Sequence, residues 1–178
     1  MGLTNAILVL AAGEAKRFGK PKQLLPYKNQ TLMGHCLETA VNAHVGNVYC
    51  VLGAHVEQTL PEAQKQPNVR IILHESWGQG MGSSISTGVS EALRHNPGID
   101  LMTVVLADQP FISAQHLHNL VQLAYETSAK IAATQYPQSL GVPAVFSRPY
   151  FHQLLNLSSE SGAKELIQSE SNVPTLKL

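Results

Sequence analysis

The chain has 178 residues, of which 44% are hydrophobic and 13% charged, a composition typical of one compact domain and not of a disordered chain. Twelve basic residues balance twelve acidic ones, so no general positive field is available for nucleic acid or an anionic membrane. The longest apolar run, residues 6–12, is too short to span a bilayer. Cys36 and Cys50 have no metal-ligand spacing, and two reduced thiols are typical of a cytoplasmic protein.

Short apolar runs alternate with amphipathic stretches along most of the chain. Five of these runs are predicted strands, at residues 6–10, 48–52, 69–73, 101–106 and 131–134. Several are apolar throughout, which is typical of a parallel sheet that is buried on both faces. Residues 143–147 are predicted to add an edge strand.

Apolar residues at helical spacing predict three amphipathic helices between the strands. The first begins after Thr31 as N-cap, the second contains Ile85 and Val89, and the third begins after Ser113. Strands that alternate with helices indicate βαβ units, so we interpret residues 1–178 as one α/β domain with three layers. In such a domain ligands bind beyond the carboxyl ends of the strands, and the residues that follow each strand are the candidates for function.

A small and then strongly basic stretch follows the first predicted strand. Ala11, Ala12 and Gly13 allow a ligand to approach backbone N–H groups closely. Four cations come next, at Lys16, Arg17, Lys20 and Lys22. Backbone donors beside positive charge predict an anion site, most simply for phosphate, and the position behind a strand favours this over a solvated lysine-rich loop. The spacing matches neither the P-loop nor the dinucleotide-binding fingerprint.

A glycine-rich stretch, GQGMGSSISTGV at residues 78–89, lies at the predicted junction of the third strand and the second helix. Three glycines within five residues are more than a structural turn requires, and they favour close backbone approach to a flat or anionic ligand. We expect Ser83 or Ser84 to cap the helix and residues 80–82 to form a loop whose amides face the ligand.

The stretch LMTVVLADQP ends a predicted strand in an aspartate, Asp108. The chain contains only two aspartates, and the other, Asp100, precedes this strand. A carboxylate at the carboxyl end of a strand can hold a hard divalent cation against phosphate oxygens. Because Asp-x-Pro also favours a plain turn, both interpretations of Asp108 stay open from the residues alone.

Five segments carry a family resemblance: LAAGEAKRFGKPKQLLP, GMGSSI, LADQP, GVPAVF and SGAKELI, in this order. From residue 5 to about 168 the chain resembles the molybdenum cofactor nucleotidyltransferases, and most closely their cytidylyltransferase branch. The guanylyl-transferring branch typically has LAGG and DMP, so Ala12 and Gln109 favour cytidine. The resemblance implies a three-layer Rossmann-like nucleotidyltransferase fold with a mostly parallel sheet.

The resemblance also implies a reaction, in which CMP passes from CTP to the terminal phosphate of molybdopterin and pyrophosphate is released. A molybdoenzyme would be the client of the product, and Mg²⁺ would be the cofactor. The implied catalytic residues are Lys22, at the α-phosphate, Arg17, which also neutralises the triphosphate, and Asp108, which binds Mg²⁺. The remaining implied nucleotide contacts are the backbone of Ala11, Ala12 and Gly13, and a base and ribose pocket at Gly80, Met81, Gly82 and Ser83.

Two departures from the family pattern affect these expectations. Val142 stands where a histidine is often found, which removes a possible contact to the pterin. The family usually ends in a DxDTPED segment whose first aspartate completes the metal site, and no aspartate follows Asp108 here. We therefore expect one domain without this C-terminal segment and with an incomplete metal site. Two further hypotheses stay open, a sugar-phosphate or polyol-phosphate nucleotidyltransferase and a non-catalytic molybdopterin-binding module.

Overall fold

The computed structural model of the protein describes residues 4–14, 21–157 and 162–178. Its strands are β1 (Asn5–Ala11), β2 (Pro26–Tyr27), β3 (Gln30–Thr31), β4 (Asn47–Leu52), β5 (Val69–Leu73), β6 (Leu101–Leu106), β7 (Ile131–Tyr136), β8 (Ser139–Ser147) and β9 (Thr175–Lys177). Its α-helices are α1 (Leu32–Asn42), α2 (Val56–Ala63), α3 (Met81–His95), α4 (Ala114–Glu126), α5 (Phe151–Leu155) and α6 (Lys164–Ser169). The five strands predicted from apolar runs are confirmed as β1, β4, β5, β6 and β7.

Seven strands form one sheet in the order β5-β4-β1-β6-β8-β7-β9, and β2 pairs with β3 in a separate ribbon. The pairs β5–β4, β4–β1, β1–β6 and β7–β9 are parallel. The strand β8 is antiparallel to both β6 and β7. The predicted edge strand at residues 143–147 is therefore internal. Ala144, Val145 and Phe146 each pair with β6 on one side and with β7 on the other, and this second pairing makes the strand internal.

The helices cover the two faces of the sheet and make three layers. Alternate residues of β1 enter different cores, with Ile7 and Val9 packing beside residues of α1, and Leu8 and Leu10 packing beside residues of α3. The helix α2 packs on α1, α5 packs on α3, and α4 and α6 contact the β7–β8 part of the sheet. This arrangement confirms the predicted α/β fold with a mostly parallel sheet.

Side-chain caps fix the starts of two helices as predicted. The Thr31 hydroxyl oxygen accepts a hydrogen bond from Gly34 N in α1, at 3.0 Å, and the Ser113 hydroxyl oxygen accepts one from His116 N in α4, also at 3.0 Å. The prediction for α3 is wrong, because this helix begins at Met81 with Gly80 as N-cap. Ser83 and Ser84 lie inside its first turn, and the serine-rich sequence alone did not locate the cap.

The connections between the strands create a crevice at one place in the sheet. From β1 the chain moves outward through β4 to β5, and α3 then returns it across the opposite face to β6. The neighbours of β1 are thus reached by connections that run in opposite directions. In open α/β sheets a crevice forms at the carboxyl ends of the strands at this switch point, here the ends of β1 and β6.

The described part of the chain has no helix that is both long enough and apolar enough to cross a membrane. Cys36 and Cys50 are free and buried. Burial, followed by the negative charge of Asp108, raises the pKa of the Cys36 thiol to about 12, and burial also raises the pKa of Cys50. Both thiols are protonated at neutral pH, which makes them poor nucleophiles and poor metal ligands.

A buried histidine makes the stability depend on pH. The Thr134 hydroxyl in β7 donates to the Pro143 carbonyl, at 2.7 Å, so it accepts its other hydrogen bond, at 2.9 Å, from Nε2 of His116. Burial lowers the pKa of His116 below its ordinary value of 6.5. The unfolded chain therefore takes up this proton at a higher pH than the folded chain, and the contribution is present above pH 6.5 and is lost as the pH falls towards the folded-state pKa.

We predict that the free energy of unfolding declines as the pH falls below 6.5, by at most about 1.4 kcal/mol per pH unit for this residue. Denaturant titrations at several pH values measure it. The His116→Gln variant should show a flatter profile than the parent, whereas His152→Gln, an exposed position on α5, should leave the profile unchanged. Equal slopes for the parent and His116→Gln would contradict the assignment.

Candidate functional site

A cleft of about 620 Å³ opens at the carboxyl ends of β1 and β6. Three segments of the chain line it: the end of β1 with the loop behind it, the start of α3 with the turn before it, and the end of β6. Two residues of the turn that begins at Lys22 complete it. The lining residues are Leu10, Ala11, Ala12, Gly13, Glu14, Lys22, Gln23, Trp77, Gly78, Gly80, Met81, Ser84, Leu106, Ala107 and Asp108.

The loop behind β1 is held through its carbonyl oxygens. Gln23 Nε2 donates to the carbonyls of Ala11 and Gly13, at 3.1 and 3.4 Å. The connection between β4 and α2 holds the carbonyls of Ala12 and Glu14. In it, Ala54 N donates to Ala12 O at 3.0 Å, and Nε2 of His55 lies 3.2 Å from Glu14 O. Because a carbonyl can only accept, this imidazole nitrogen carries the proton.

The start of α3 is held by a different network. Gly80 has φ 101°, a left-handed conformation that favours glycine, and it precedes the first residue of the helix. The Ser83 hydroxyl donates to Gly80 O at 2.8 Å and accepts from Nε2 of His74 at 2.9 Å. The other ring nitrogen of His74 lies 3.1 Å from the Thr87 hydroxyl. Burial lowers the pKa of His74, so the ring is neutral at pH 7 and accepts from Thr87.

Trp77 is a component of the cleft that the sequence patterns did not single out. A Cβ atom on Gly53, at the end of β4, would lie 2.5 Å from Trp77 Cβ and 2.9 Å from Ala12 Cβ. Only glycine therefore lets the indole approach the floor of the cleft this closely. Trp77 is the only tryptophan of the chain, and it lies directly before the glycine-rich stretch. This position beside a predicted ligand loop is the feature of the sequence that could have indicated a role for Trp77. An indole can stack on a nucleobase.

Gln109 connects the cleft to the β7–β8 hairpin. Its amide nitrogen donates to the Tyr136 hydroxyl at 3.0 Å and to Val142 O at 2.9 Å, and its amide oxygen accepts from Leu106 N at 3.4 Å. The side chain thus supports the backbone at the end of β6. Gln109 is not among the residues that line the cleft, so an effect on a base bound there would act through this support.

A second hollow, of about 400 Å³, adjoins the cleft and shares Leu10, Met81 and Leu106 with it. Its remaining lining residues come from α3, β6, the β7–β8 hairpin and the start of α6. They are Ile85, Val104, Gln109, Tyr136, Ser139, Leu140, Gly141, Val142, Gly162, Ala163 and Lys164. A ligand that occupies both spaces would pass across Met81, whose side chain is half exposed.

The cleft offers oxygen ligands for a divalent cation but no complete cage. Asp108 is exposed at the end of β6, and Glu14 lines the same cleft. Within residues 4–14, 21–157 and 162–178, no group of three or more His, Cys, Asp or Glu residues could hold a metal ion. Carboxylate oxygen suits Mg²⁺, which usually keeps several waters and binds together with substrate phosphates. The residues therefore fit Mg²⁺ as an ion that shares its ligands with a nucleotide.

Most of the predicted site residues meet at this cleft. Those that line it are Ala11, Ala12, Gly13, Lys22, Gly80, Met81 and Asp108. Gly82 is buried in the first turn of α3, and Ser83 turns its hydroxyl towards His74, whereas Ser84 lines the cleft. Arg17 lies outside the described residues, as do Lys16 and Lys20, so the role of Arg17 stays a prediction.

Comparison with known proteins gives the family. Residues 7–173 match the family described as "MobA-like NTP transferase domain". The chain belongs to this family. The family resemblance carried by the motifs is thereby confirmed, and the chain is a member of the nucleotidyltransferase superfamily.

Two relatives of the chain have names that describe different kinds of activity. The purine catabolism protein PucB of Bacillus subtilis is 31% identical over 170 residues, which are 90% of this chain and 78% of that protein. Nicotine blue oxidoreductase of Paenarthrobacter nicotinovorans is 35% identical over 142 residues, which are 79% of this chain and 66% of that protein. The second name describes a redox enzyme, so family membership alone does not define the reaction.

Solved structures with the same fold include Rv0371c from Mycobacterium tuberculosis H37Rv. It has a TM-score of 0.86 and 26% identity, covering 100% of this chain and 89% of that chain. A complex of Rv0371c with manganese has a TM-score of 0.81 and 25% identity, covering 98% and 88%. A protein of this fold has therefore been obtained with a divalent metal.

The conformation of Gly80 generates a prediction about binding. A side chain at φ 101° is strained by about 1–3 kcal/mol, and this strain would shift the first turn of α3 in Gly80→Ala. We expect nucleotide affinity to fall about tenfold, which corresponds to about 1.4 kcal/mol. The fluorescence of Trp77 measures binding. The control is Gly98→Ala, which lies outside the cleft and whose added Cβ would meet only Asn96 Oδ1, at 3.3 Å. Equal losses in both variants would contradict the argument.

Proposed function

We propose that the protein transfers CMP from CTP to the terminal phosphate of a molybdopterin-type acceptor and releases pyrophosphate. One observation carries the proposal: a single cleft gathers Lys22, Asp108, the small loop behind β1 and the start of α3. Membership of an NTP transferase family supports the nucleotide half of the reaction. The resemblance of the motifs to the cytidylyltransferase branch supports the choice of CTP and of the acceptor.

In this reaction an oxygen of the acceptor phosphate attacks the α-phosphorus of CTP. A bond forms between them, and the bond from the α-phosphorus to the bridging oxygen of the β-phosphate breaks, so pyrophosphate leaves with the electron pair. The protein contributes alignment and neutralisation of charge and does not itself form a covalent bond. A cleft that combines a hydrogen-bonded loop with the cation of Lys22 suits this requirement.

We assign the charge neutralisation to Lys22 and Arg17. Lys22 lines the cleft beside the loop behind β1, and its ammonium is a movable point charge that suits the α-phosphate as negative charge develops. Arg17 would grip the β- and γ-phosphates through paired N–H groups. The amino end of α3 adds the positive end of a helix dipole near Gly80 and Met81.

Asp108 would hold Mg²⁺ together with the phosphates of the nucleotide. When bound, the ion acts as a Lewis acid on phosphate oxygens. The manganese complex of Rv0371c supports a divalent metal in this fold. Asp108 follows β6 directly, and the backbone there is fixed because Ala107 N donates to Leu10 O in β1 at 3.1 Å. The carboxylate is thereby anchored to the strand that carries the nucleotide loop.

We place the base and ribose of CTP between the loop behind β1 and the start of α3. In this position Trp77 can stack on cytosine, and Ala12, Gly80 and Met81 form the rest of the surface. The preference for cytidine rests on the resemblance at Ala12 and Gln109. Gly82 and Ser83 then contribute by shaping the first turn of α3, and Ser84 provides a hydroxyl in the cleft.

We place the acceptor in the second hollow, which adjoins the cleft at Leu10, Met81 and Leu106. Its apolar walls suit a pterin ring, and Lys164 supplies a cation for an anionic group. Val142, which stands where relatives often have histidine, lines the same hollow. The product would pass to a molybdoenzyme client in the cytoplasm, where the two free thiols stay reduced.

A redox reaction in the same cleft is the second candidate, and the name of the 35% identical relative, nicotine blue oxidoreductase, favours it. Transfer to a sugar-phosphate or polyol-phosphate acceptor is a third candidate, and molybdopterin binding without catalysis is a fourth. The deciding experiment mixes the protein with Mg²⁺, CTP or GTP, and molybdopterin or a sugar phosphate, and measures pyrophosphate. A parallel assay follows oxidation of reduced nicotinamide nucleotides in the presence of an added dye as the electron acceptor.

Pyrophosphate release that needs both CTP and molybdopterin supports the proposal. Pyrophosphate release with GTP but not with CTP would show that the base is guanine. Release with a sugar phosphate but not with molybdopterin would show that the acceptor is a sugar phosphate. Oxidation of the nicotinamide nucleotide without pyrophosphate supports the redox reaction. Binding of molybdopterin with no turnover of any kind supports the binding module.

The role of Lys22 predicts a loss of turnover in Lys22→Ala. Removal of one electrostatic donor to a transition state costs about 3–4 kcal/mol, so kcat should fall about 10²–10³-fold. The dissociation constant for CTP should change much less, because the charge matters most when the α-phosphate gains negative charge. Lys177→Ala, at an exposed position in β9, is the control. A kcat of Lys22→Ala within a factor of ten of the parent would sink the assignment.

The role of Asp108 predicts weaker metal binding in Asp108→Asn. In the presence of CTP, the affinity for Mn²⁺ should fall about tenfold or more, or about 1.4 kcal/mol, because a neutral amide replaces a charged ligand. Calorimetry measures it. The matched control is Asp100→Asn. Asp100 directly precedes β6, and in the parent its carboxylate accepts a hydrogen bond from Thr4 N at 2.9 Å. Unchanged metal affinity with a much lower melting temperature would identify Asp108 as a turn residue.

A further inference from the structure

Gln23 is a buried polar side chain that the proposed chemistry does not use. Only 6% of its surface is exposed, and it lies between the cleft and the loop behind β1. Its amide nitrogen has two hydrogens, and both hydrogen bonds that it makes, to Ala11 O and Gly13 O, go to residues that line the cleft. One planar amide thus fixes two peptide groups that are two residues apart.

The neighbouring strand explains why a side chain is needed here. Ala107 N donates to Leu10 O, and after Ala107 the chain of β6 turns away into the segment with Asp108. Beyond Leu10, the bonds to Ala11 and Gly13 come from Gln23, and the bonds to Ala12 and Glu14 come from Ala54 and His55. Four successive carbonyls are thus held by two separate segments of the chain.

Gln23 also follows Lys22 directly in the chain. Both belong to one short 3-10 turn, Lys22–Leu24, which is closed by Leu24 N donating to Pro21 O and by Leu25 N donating to Lys22 O, each at 3.0 Å. The amide of Gln23 therefore ties the backbone of Lys22 to the loop. Loss of these hydrogen bonds would therefore move the Lys22 ammonium relative to a nucleotide that is bound at the loop.

We propose that Gln23 is a positioning residue, which fixes the loop behind β1 and sets the place of Lys22 relative to the bound nucleotide. The proposal rests on the proposed function only in that the cleft binds a nucleotide with Lys22 at its phosphates. Residues 11–14 then keep one conformation before binding, so the nucleotide does not have to order them. An error of about 1 Å in such a placement can cost about 10²-fold in rate.

Four variants separate positioning from plain stabilisation. Gln23→Met keeps the length of the side chain and removes both donors. Thr103→Val removes another buried hydrogen bond, from the Thr103 hydroxyl to Asn5 Oδ1 at 3.0 Å, whose two residues do not line the cleft. Gln115→Met repeats the first substitution at an exposed position on α4. The fourth variant combines Gln23→Met with Lys22→Ala.

Three measurements apply to every variant: hydrogen exchange of the peptide that covers residues 10–14, CTP binding from Trp77 fluorescence, and kcat with KM. In Gln23→Met we expect exchange about tenfold faster or more and kcat lower by about 10–10²-fold, with a smaller change in KM. Thr103→Val should lower the melting temperature and leave exchange at residues 10–14, CTP affinity and kcat within about twofold. Gln115→Met should match the parent.

The double variant tests the link to Lys22. If Gln23 acts through Lys22, Gln23→Met should cost much less in kcat in the Lys22→Ala background than in the parent, because the group that it positions is already gone. Full additivity would overturn this link. Exchange and kcat of Gln23→Met within about twofold of the parent, or an equal loss of kcat in Thr103→Val, would overturn the positioning role altogether.

Failure of the proposed function gives a different pattern of results. If the parent binds CTP but transfers nothing to molybdopterin, the exchange and fluorescence measurements still apply, since neither needs an acceptor. Faster exchange at residues 10–14 together with weaker CTP binding in Gln23→Met, but not in Thr103→Val, then supports the hold on the loop. Unchanged exchange and binding overturn it independently of the reaction.

Discussion

Every residue of β1 is buried, and this strand pairs in parallel with β4 on one side and β6 on the other. Parallel pairing directs all three carboxyl ends to the same edge of the sheet. The connections from β1 and to β6 then run over opposite faces, so the chain cannot cover that edge and a crevice remains. The loop behind β1, the start of α3 and Asp108 lie together because each follows one part of this arrangement.

The backbone around the crevice is held by side chains of neighbouring segments. Gln23 and His55 hold the loop behind β1, His74 and Ser83 hold the turn before α3, and Gln109 holds the end of β6 against the β7–β8 hairpin. Each makes a hydrogen bond that fixes the backbone at the rim of the cleft. The charged residues Lys22, Glu14 and Asp108 line the same cleft.

The apolar runs and caps predicted the strands of the parallel half and two of the helix starts, because these depend on residues close in sequence. The place of β8 depends on pairing with β6 and β7, which the local pattern of residues 143–147 does not encode, so that pattern predicted an edge. The start of α3 depends on the backbone of Gly80 and on His74, which engages the serine expected as a cap. The sequence did not predict Trp77 or Gln23 as part of the site. Trp77 lies there because it packs against Gly53, and Gln23 because it bonds to Ala11 O, and both contacts link residues far apart in sequence.

In the proposed function, the composition of the cleft couples the metal to the nucleotide. With one carboxylate at the end of β6 and a second on the loop behind β1, the described residues supply few of the ligands that a divalent ion needs. Phosphate oxygens must supply more of them, so bound nucleotide raises the affinity for the metal. By thermodynamic linkage the metal then raises the affinity for the nucleotide by the same factor. Hydrogen bonds to the carbonyls of residues 11–14 would sharpen this coupling, because phosphates held against that backbone would present their oxygens to the ion in one geometry.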